Sequence, residues 1–328
     1  PDPHALKKQI NNMGFCETAN HPQKDITRYE QGNICFIVNA AKDCQAATHA
    51  KTHGPGACAM GFFVADAQKA FNVAIHHGAK AFEDTGSVNH HLPAIEAIGG
   101  SVIYFSDASH PPFANDWVKK NSAFNKTPSL INIDHLTHNV FRGHMDKWAE
   151  FYESIFNFKE IRFFNIKGKM TGLISRALAS PCGKIKIPLN ESTDNKSQIE
   201  EFLQAYQGEG IQHIALSTDN IYQTVRSLKE SGVKFLDVPD TYYEMINSRI
   251  PWHQESLKLL KAEKILIDGE HKPDKGLLLQ VFTENIFGPV FFEIIQRQGN
   301  EGFGEGNFQA LFEAIERDQI RRGTLESF

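Results

Sequence analysis

Two stretches of the chain carry the same order of apolar and polar positions. Met60–Asp84, MGFFVADAQKAFNVAIHHGAKAFED, begins with an apolar run, breaks at Asp66, continues with apolar residues at helical spacing and closes on Asp84 after a Gly and a Lys. His213–Asp237, HIALSTDNIYQTVRSLKESGVKFLD, passes through the same stages: strand, Asp at a helix start, amphipathic helix, Gly, Lys, short strand, Asp. Both Asp pairs are 153 residues apart, 219 against 66 and 237 against 84. Ile133–Phe164 repeats strand, helix and strand once more, and Asn33–Ala40 and Gly99–Asp107 read as strands flanking the first copy. The unit is predicted to be βαβββ, in four copies. Paired modules of this kind predict an α+β fold of two open β-barrel domains. Domain one is expected at 1–125 and domain two at 130–328, with the polar, Pro-containing stretch Lys119–Ser129 as the linker.

The ends are also patterned. Asp2 and Pro3 suit the cap and first turn of a helix, and Gly14 suits its stop, so the chain is expected to open on a helix and to lack the first strand of its N-terminal module. Gly299–Phe308 holds four Gly in ten residues and predicts a mobile loop. Asn307 is then expected to cap a helix whose apolar face is Phe308, Leu311, Phe312 and Ile315. That pattern fits a lid over a pocket and a terminal helix docked on the core equally well.

Composition narrows the function classes. Of 328 residues, 41% are hydrophobic and 22% charged, as in a soluble globular protein. Net charge is −5, from 34 Lys and Arg against 39 Asp and Glu, and without a basic cluster this argues against nucleic acid as a partner. Five cysteines without a CxxC pair suggest reduced thiols in the cytoplasm, and no apolar run has membrane-spanning length. The 25 Phe suit a large core or an aromatic pocket.

One residue breaks the apolar pattern. Val290–Ile295 reads as a strand buried on both faces, yet Glu293 sits within it. An unpartnered buried carboxylate costs several kcal/mol or becomes neutral. His135 and His213 each lie in the strand that opens a module of domain two, 78 residues apart, and Glu293 follows His213 by 80. Related by an approximate two-fold, the two His would meet inside one barrel with Glu293 beside them. Two imidazoles and a carboxylate on one side of a metal leave positions open for a bidentate substrate and O₂, the arrangement of non-haem Fe(II) oxygenases. Such a donor set also accepts Zn, Ni or Co. In domain one, Met60 aligns with His213 and Phe105 with Glu293, so that copy lacks both. His138 should face away from His135, as residues three apart on a strand do.

The motifs DHLTHNV (from Asp134), GEGIQHIAL (from Gly208), GLLLQVFTENIFGPVFFEIIQR (from Gly276) and GFGEGNF (from Gly302) together resemble the 4-hydroxyphenylpyruvate dioxygenase family of the vicinal-oxygen-chelate, or glyoxalase-like, superfamily. The resemblance spans nearly the whole chain. It implies Fe(II) on His135, His213 and Glu293, 4-hydroxyphenylpyruvate and O₂ as substrates, and homogentisate and CO₂ as products in tyrosine and phenylalanine breakdown. It implies catalytic roles for Gln280, Phe282 and Asn307. It implies substrate contacts from Ser175, Asn190, Gln198, Gln212, Gln280, Phe282, Phe291 and Phe308, with Phe282 and Phe308 on either side of the aromatic ring. Gln212 needs a bulge to reach the His213 side of its strand. The resemblance also implies a dimer or tetramer. Hydroxymandelate synthase, of the same fold, metal and substrate, is the nearest alternative, and a metal-free small-molecule-binding protein of this fold is another.

Overall fold

The computed structural model describes residues 2–83, 91–111, 117–120, 129–167 and 172–321. Helix α1 (Pro3–Asn12) opens the chain as its residues require: Asp2 accepts from the His4 N–H, and Gly14 leaves the helix at φ +86°. Strands β1 (Cys16–Asn20), β2 (Ile26–Gln31), β3 (Ile34–Asn39), β4 (Ala59–Phe63), β5 (Ala94–Glu96), β6 (Val102–Ser106) and β7 (Val118–Lys119) follow. They form two sheets, in the orders β3-β2-β1-β7 and β4-β6-β5. Helices α2 (Gln45–His53) and α3 (Ala67–His76) lie on either side of β4 in the chain.

The C-terminal half holds β8 (Ile133–Val140), β9 (Lys159–Lys167), β10 (Gly172–Ala179), β11 (Lys186–Ser192), β12 (Gly210–Ser217), β13 (Leu266–Gly269), β14 (Leu277–Phe282) and β15 (Phe291–Gln298). These form one sheet, β13-β14-β15-β12-β8-β11-β10-β9. The order is two modules, β8-β11-β10-β9 and β12-β15-β14-β13, joined where β8 and β12 pair antiparallel. Within each module the first and last strands are parallel, which the helix after the first strand makes possible. Helix α4 (Met145–Phe156) serves the first module. Its Met145, Trp148, Ala149, Tyr152 and Ile155 are buried at helical spacing, and Asn157 ends it in the left-handed region, where Asn is tolerated. Helices α5 (Gln198–Tyr206) and α6 (Ile221–Glu230) flank β12 in the chain.

The repeat holds in register. Met60 stands opposite Ile103 and Phe62 opposite Phe105, just as His213 stands opposite Phe291 and Ala215 opposite Glu293. In both copies the short strand after the helix shrinks to one bridge, Ala81 to Ile95 and Phe235 to Thr283. The cap differs. Asp66 caps α3, but Asn220, not Asp219, caps α6 by accepting from the Gln223 N–H. Asp and Asn are equivalent caps, so a pattern holding both cannot choose. Asp84 lies outside the described residues. Between Phe235 and β13 the chain inserts α7 (Asp240–Glu244), α8 (Ile246–Arg249) and α9 (Leu257–Glu263), which the repeat does not foresee. The expected linker opens with a strand, since Lys119 pairs with Ala19, and 121–128 lie outside the described residues.

The C-terminal helix α10 spans Glu305–Arg321, so Asn307 is not its cap. Asn307 is buried inside the first turn because its amide is taken by Gln280 and Tyr242. The buried stripe is Asn307, Ala310 and Ala314, with Phe308 and Leu311 half-buried; Phe312 and Ile315 lie outside the described side chains. Small residues let α10 lie close to α7, where Thr241 donates to the Ala314 carbonyl at 2.7 Å. The glycine-rich segment before α10 is tied down. Arg297 donates to the carbonyls of Asn300 and Gly302, and the Asn300 side chain accepts from the Gly302 N–H.

One apolar cluster reaches from Ile10 and Met13 to Leu279 and Ile294, so the two halves share a core. Gly99 marks a close approach between them. At φ +59°, an added Cβ would lie 1.9 Å from the Glu209 carbonyl oxygen.

Candidate metal centre

Alternation along four strands aims one set of side chains inward. His135, Thr137 and Asn139 share a face of β8, and the register places His213 beside Thr137 and Ala215 beside His135. Phe291 and Glu293 on β15 follow that face, and Phe282 on β14 stands opposite Glu293. His138 turns outward, as expected, and its Nε2 meets the Tyr152 hydroxyl of α4 at 2.7 Å.

Among the described residues, His135, His213 and Glu293 form a buried group whose ligand atoms all lie within 4.8 Å of one another. His135 Nε2 is 3.2 Å and His213 Nε2 3.5 Å from the same carboxylate oxygen, Glu293 Oε2. Right-angled bonds of about 2.1 Å set neighbouring donor atoms about 3 Å apart, so these spacings suit a single divalent ion. Every other polar atom of the three is already engaged. His135 Nδ1 pairs with Asp134 Oδ1 at 2.8 Å, and Arg297 grips Asp134 through two contacts of 2.8 Å. His213 Nδ1 pairs with Gln212 Oε1 at 3.0 Å, and Glu293 Oε1 accepts from Gln280 Nε2 at 2.8 Å. In neutral rings both Nδ1 atoms then donate, and each Nε2 keeps its lone pair for a metal. The donor set fits a transition-metal ion.

Charge follows from the same geometry. Burial alone lowers the His135 pKa, but Glu293 on one side and Asp134 on the other outweigh it and raise the value to about 9. Burial lowers His213 to about 3, against the pull of Glu293. Burial would raise Glu293, yet the charge and hydrogen bond of His135 hold it below the usual carboxylate range.

The remaining expected residues divide. Gln212 is the residue at which β12 slips register against β8, between Ile211 and His213, so the required bulge is present. Its side chain serves His213. Gln280 spends both ends of its amide, on Glu293 and on Asn307 Nδ2 at 2.7 Å. Phe291 stacks on His213 with ring centroids 5.0 Å apart, and Phe282 meets Phe291 edge-on at 6.0 Å. Phe308 packs against the cluster that holds Ile166, Leu173, Ile199 and Phe202, while Phe282 packs against the main core. Ser175, Asn190 and Asn139 form a row across β10, β11 and β8. Ser175 Oγ and both amide atoms of Asn139 are buried without a hydrogen-bond partner. Gln198 is exposed in the first turn of α5 and is not brought to the others; the buried residue there is Ile199.

Sequence reasoning missed Asp134, Arg297, Asn139 and Phe303. Phe303 meets His135 edge-on at 5.3 Å. Arg297 was within reach: it lies four residues after Glu293 and therefore on the same strand face. A Cβ on Gly304, at φ +80°, would lie 1.8 Å from Gln280 Oε1, so glycine there lets the chain close over the site.

Comparison with known proteins agrees with this arrangement. Residues 1–113 match the model described as hydroxyphenylpyruvate dioxygenase, N-terminal, and 132–246 match the glyoxalase/bleomycin resistance protein/dioxygenase superfamily. A protein of Legionella pneumophila (strain Corby) named 4-hydroxyphenylpyruvate dioxygenase is 70% identical over 99% of this chain and 94% of its own. One of Vibrio vulnificus named hemolysin VllY is 52% identical over 98% of this chain and 92% of its own. A solved structure of a mutant 4-hydroxymandelate synthase from Streptomyces coelicolor superposes with TM-score 0.83 at 27% identity, covering 97% of this chain and 96% of its own. With a relative this similar along nearly its whole length, and with paired βαβββ modules around a buried His-His-Glu group, the chain belongs to the 4-hydroxyphenylpyruvate dioxygenase family of enzymes in the vicinal-oxygen-chelate superfamily.

Proposed function

We propose that the chain catalyses the Fe(II)-dependent reaction of 4-hydroxyphenylpyruvate with O₂ to give homogentisate and CO₂. The observation that carries this reading is the meeting of His135 Nε2 and His213 Nε2 at Glu293 Oε2, in a chain of this family. Iron on that face supplies a chelation point for the 2-oxo acid and activation of O₂. The chain's own residues do the rest. Asp134 and Gln212 orient the imidazoles, and Gln280 orients the carboxylate. Phe291 and Phe282 wall the side of His213, and Phe303 covers His135, so water is kept from the reacting centre. Phe282 and Phe308 belong to separate apolar clusters, which suits two walls with an aromatic ring between them. Ser175, with its buried, unpartnered hydroxyl, and Asn190 beside it are the hydrogen-bonding groups we assign to substrate oxygens, and Asn139 extends that row. Gln198, exposed, takes no part in this reading.

We read the chain as a non-catalytic domain at 1–125 and a catalytic one at 130–328, in a cytoplasmic homo-oligomer, dimer or tetramer. The five cysteines are unpaired, which suits a reducing compartment, and among the described residues no helix is long and apolar enough to cross a membrane. The structural likeness to 4-hydroxymandelate synthase makes hydroxylation at the benzylic carbon the second reading. Protein reconstituted with Fe(II) and ascorbate and given 4-hydroxyphenylpyruvate should consume O₂ and yield homogentisate by chromatography. Hydroxymandelate as the product would replace the first reading with the second. Substrate binding without turnover would turn the chain into a binding protein.

A further inference from the structure

The metal-facing carboxylate stands at the end of a run of hydrogen bonds whose direction is settled by that carboxylate. A ligating Glu293 is ionised and only accepts, so its Oε1 must face the Gln280 amide nitrogen, 2.8 Å away. Gln280 Oε1 is thereby turned to Asn307, which must offer Nδ2, at 2.7 Å. Asn307 Oδ1 then faces two donors from the insert between Phe235 and β13: the Tyr242 hydroxyl at 2.6 Å and Arg249 Nη2 at 3.4 Å. Tyr242 accepts from the Ile267 N–H at 2.9 Å, and of the two acceptors within reach of its own hydrogen, Asn307 Oδ1 at 2.6 Å lies nearer than the Ile267 carbonyl at 3.1 Å. Tyr242, Asn307, Gln280 and Glu293 are each 2% exposed or less, so solvent offers no substitute for a lost link.

We propose that Tyr242 and Arg249 are positioning residues of the metal centre: through the amides of Asn307 and Gln280 they decide which oxygen of Glu293 is presented to the ion. The inference rests on the iron-oxygenase reading and extends it from the barrel to the α7–α8 insert. Reversing Gln280 would set its carbonyl oxygen against the Glu293 carboxylate, and reversing Asn307 would set its carbonyl oxygen against that of Gln280, in either case two acceptors face to face in a buried site. The insert and α10 therefore act on the metal without touching it.

Asn307→Asp tests the direction of the run. An Asp at this position accepts from Tyr242 and Arg249 but cannot donate to Gln280. Gln280 must then turn its nitrogen to the new carboxylate and its oxygen to Glu293. The expected result is Co(II) and Fe(II) binding weakened about 10- to 100-fold, the usual cost of a lost orienting partner, with shifted Co(II) absorption bands in the substrate-free protein. Simple attraction between the added negative charge and the cation predicts the opposite sign. Tyr242→Phe should move both readouts the same way but less, since Arg249 still reaches Asn307. Tyr243→Phe is the control: its hydroxyl is buried without a partner and its ring meets that of Tyr242 edge-on at 5.1 Å, so it should neither lower affinity nor shift the bands. A purely structural role for Tyr242 and Asn307 would lower Tm and leave affinity and bands in place, which would overturn the proposal. Wild-type affinity in Asn307→Asp would overturn it as well, while leaving the iron reading intact. Failure of the wild-type protein to bind either metal would remove both.

Discussion

Glu293 lies between two imidazoles of opposite character. Without a bound ion, His135, raised to about 9, holds a proton at neutral pH, whereas His213, lowered to about 3, and Glu293, held low, are already in ligand form. An incoming divalent ion must therefore displace one proton from His135 at any pH below about 9. Between about pH 5 and 8, metal affinity should gain about tenfold per pH unit and then level off above about 9. Calorimetric titration in buffers of different ionisation heat should count about one proton released per ion, and a pH-independent affinity would contradict the assignment. Replacement of His213 by Ala removes a ligand, so His213→Ala should lose more affinity than the roughly 10–100-fold that an orienting partner is worth. Its Tm should stay near that of the unloaded wild type, because His135 still partners Glu293; unchanged iron content after gel filtration would exclude His213 from the site. At this scale period-two alternation made the inward face readable: it pairs Glu293 with Phe291 and sends His138 away. It misplaces Gln212, since a bulge between Ile211 and His213 carries no residue signature of its own. Asp134 also escapes it, because alternation sends a neighbour to the other face while the contact runs to the near edge of the His135 ring.

Helix α10 shows where local pattern and tertiary contact part company. Asn followed by apolar residues at helical spacing is a sound N-terminus signal. The helix nevertheless begins at Glu305, because Asn307 has a better partner in buried Gln280 than in its own backbone. The docked face follows from that choice: once Asn307 points inward, Ala310 and Ala314 must too, and Phe308 and Leu311 move to the flank. Small residues there set the distance to α7. Ala310→Leu should overpack this contact and cost about 1–3 kcal/mol, read as a lower midpoint in urea. Unchanged stability would mean that α10 does not pack on α7 through Ala310. Caps at the other helices were easier, since Asp2 and Asp66 act on their own local N–H groups. The α7–α9 insert stayed hidden because it belongs to one module only and its contacts, Tyr242 to Ile267 and Asn307, are 25 and 65 residues away.

Across the whole molecule, the self-similar pattern was the most informative signal, because a module that cannot bury its face alone must stack on a copy of itself. The same register serves two different interiors. In the first half, Met60, Phe62 and Phe105 fill the space behind β4 and β6 with thioether and rings that join the common core. In the second half, the matching places are His213, Ala215 and Glu293: Ala215 packs with Leu278 and Ile295, while His213 and Glu293 belong to the candidate metal-binding group. One sheet is thus lined with apolar groups and the other with a buried imidazole–carboxylate cluster. Burying such polar groups costs free energy that apolar ones do not. Amide deuterium uptake in the ion-free protein should accordingly run faster along β8, β12 and β15 than along β4 and β6. Saturating Co(II) at about a hundred times its Kd should slow the former by up to about 100-fold and leave the latter alone. Breathing of the C-terminal sheet would then be governed by its cargo, while its N-terminal counterpart keeps a constant stiffness.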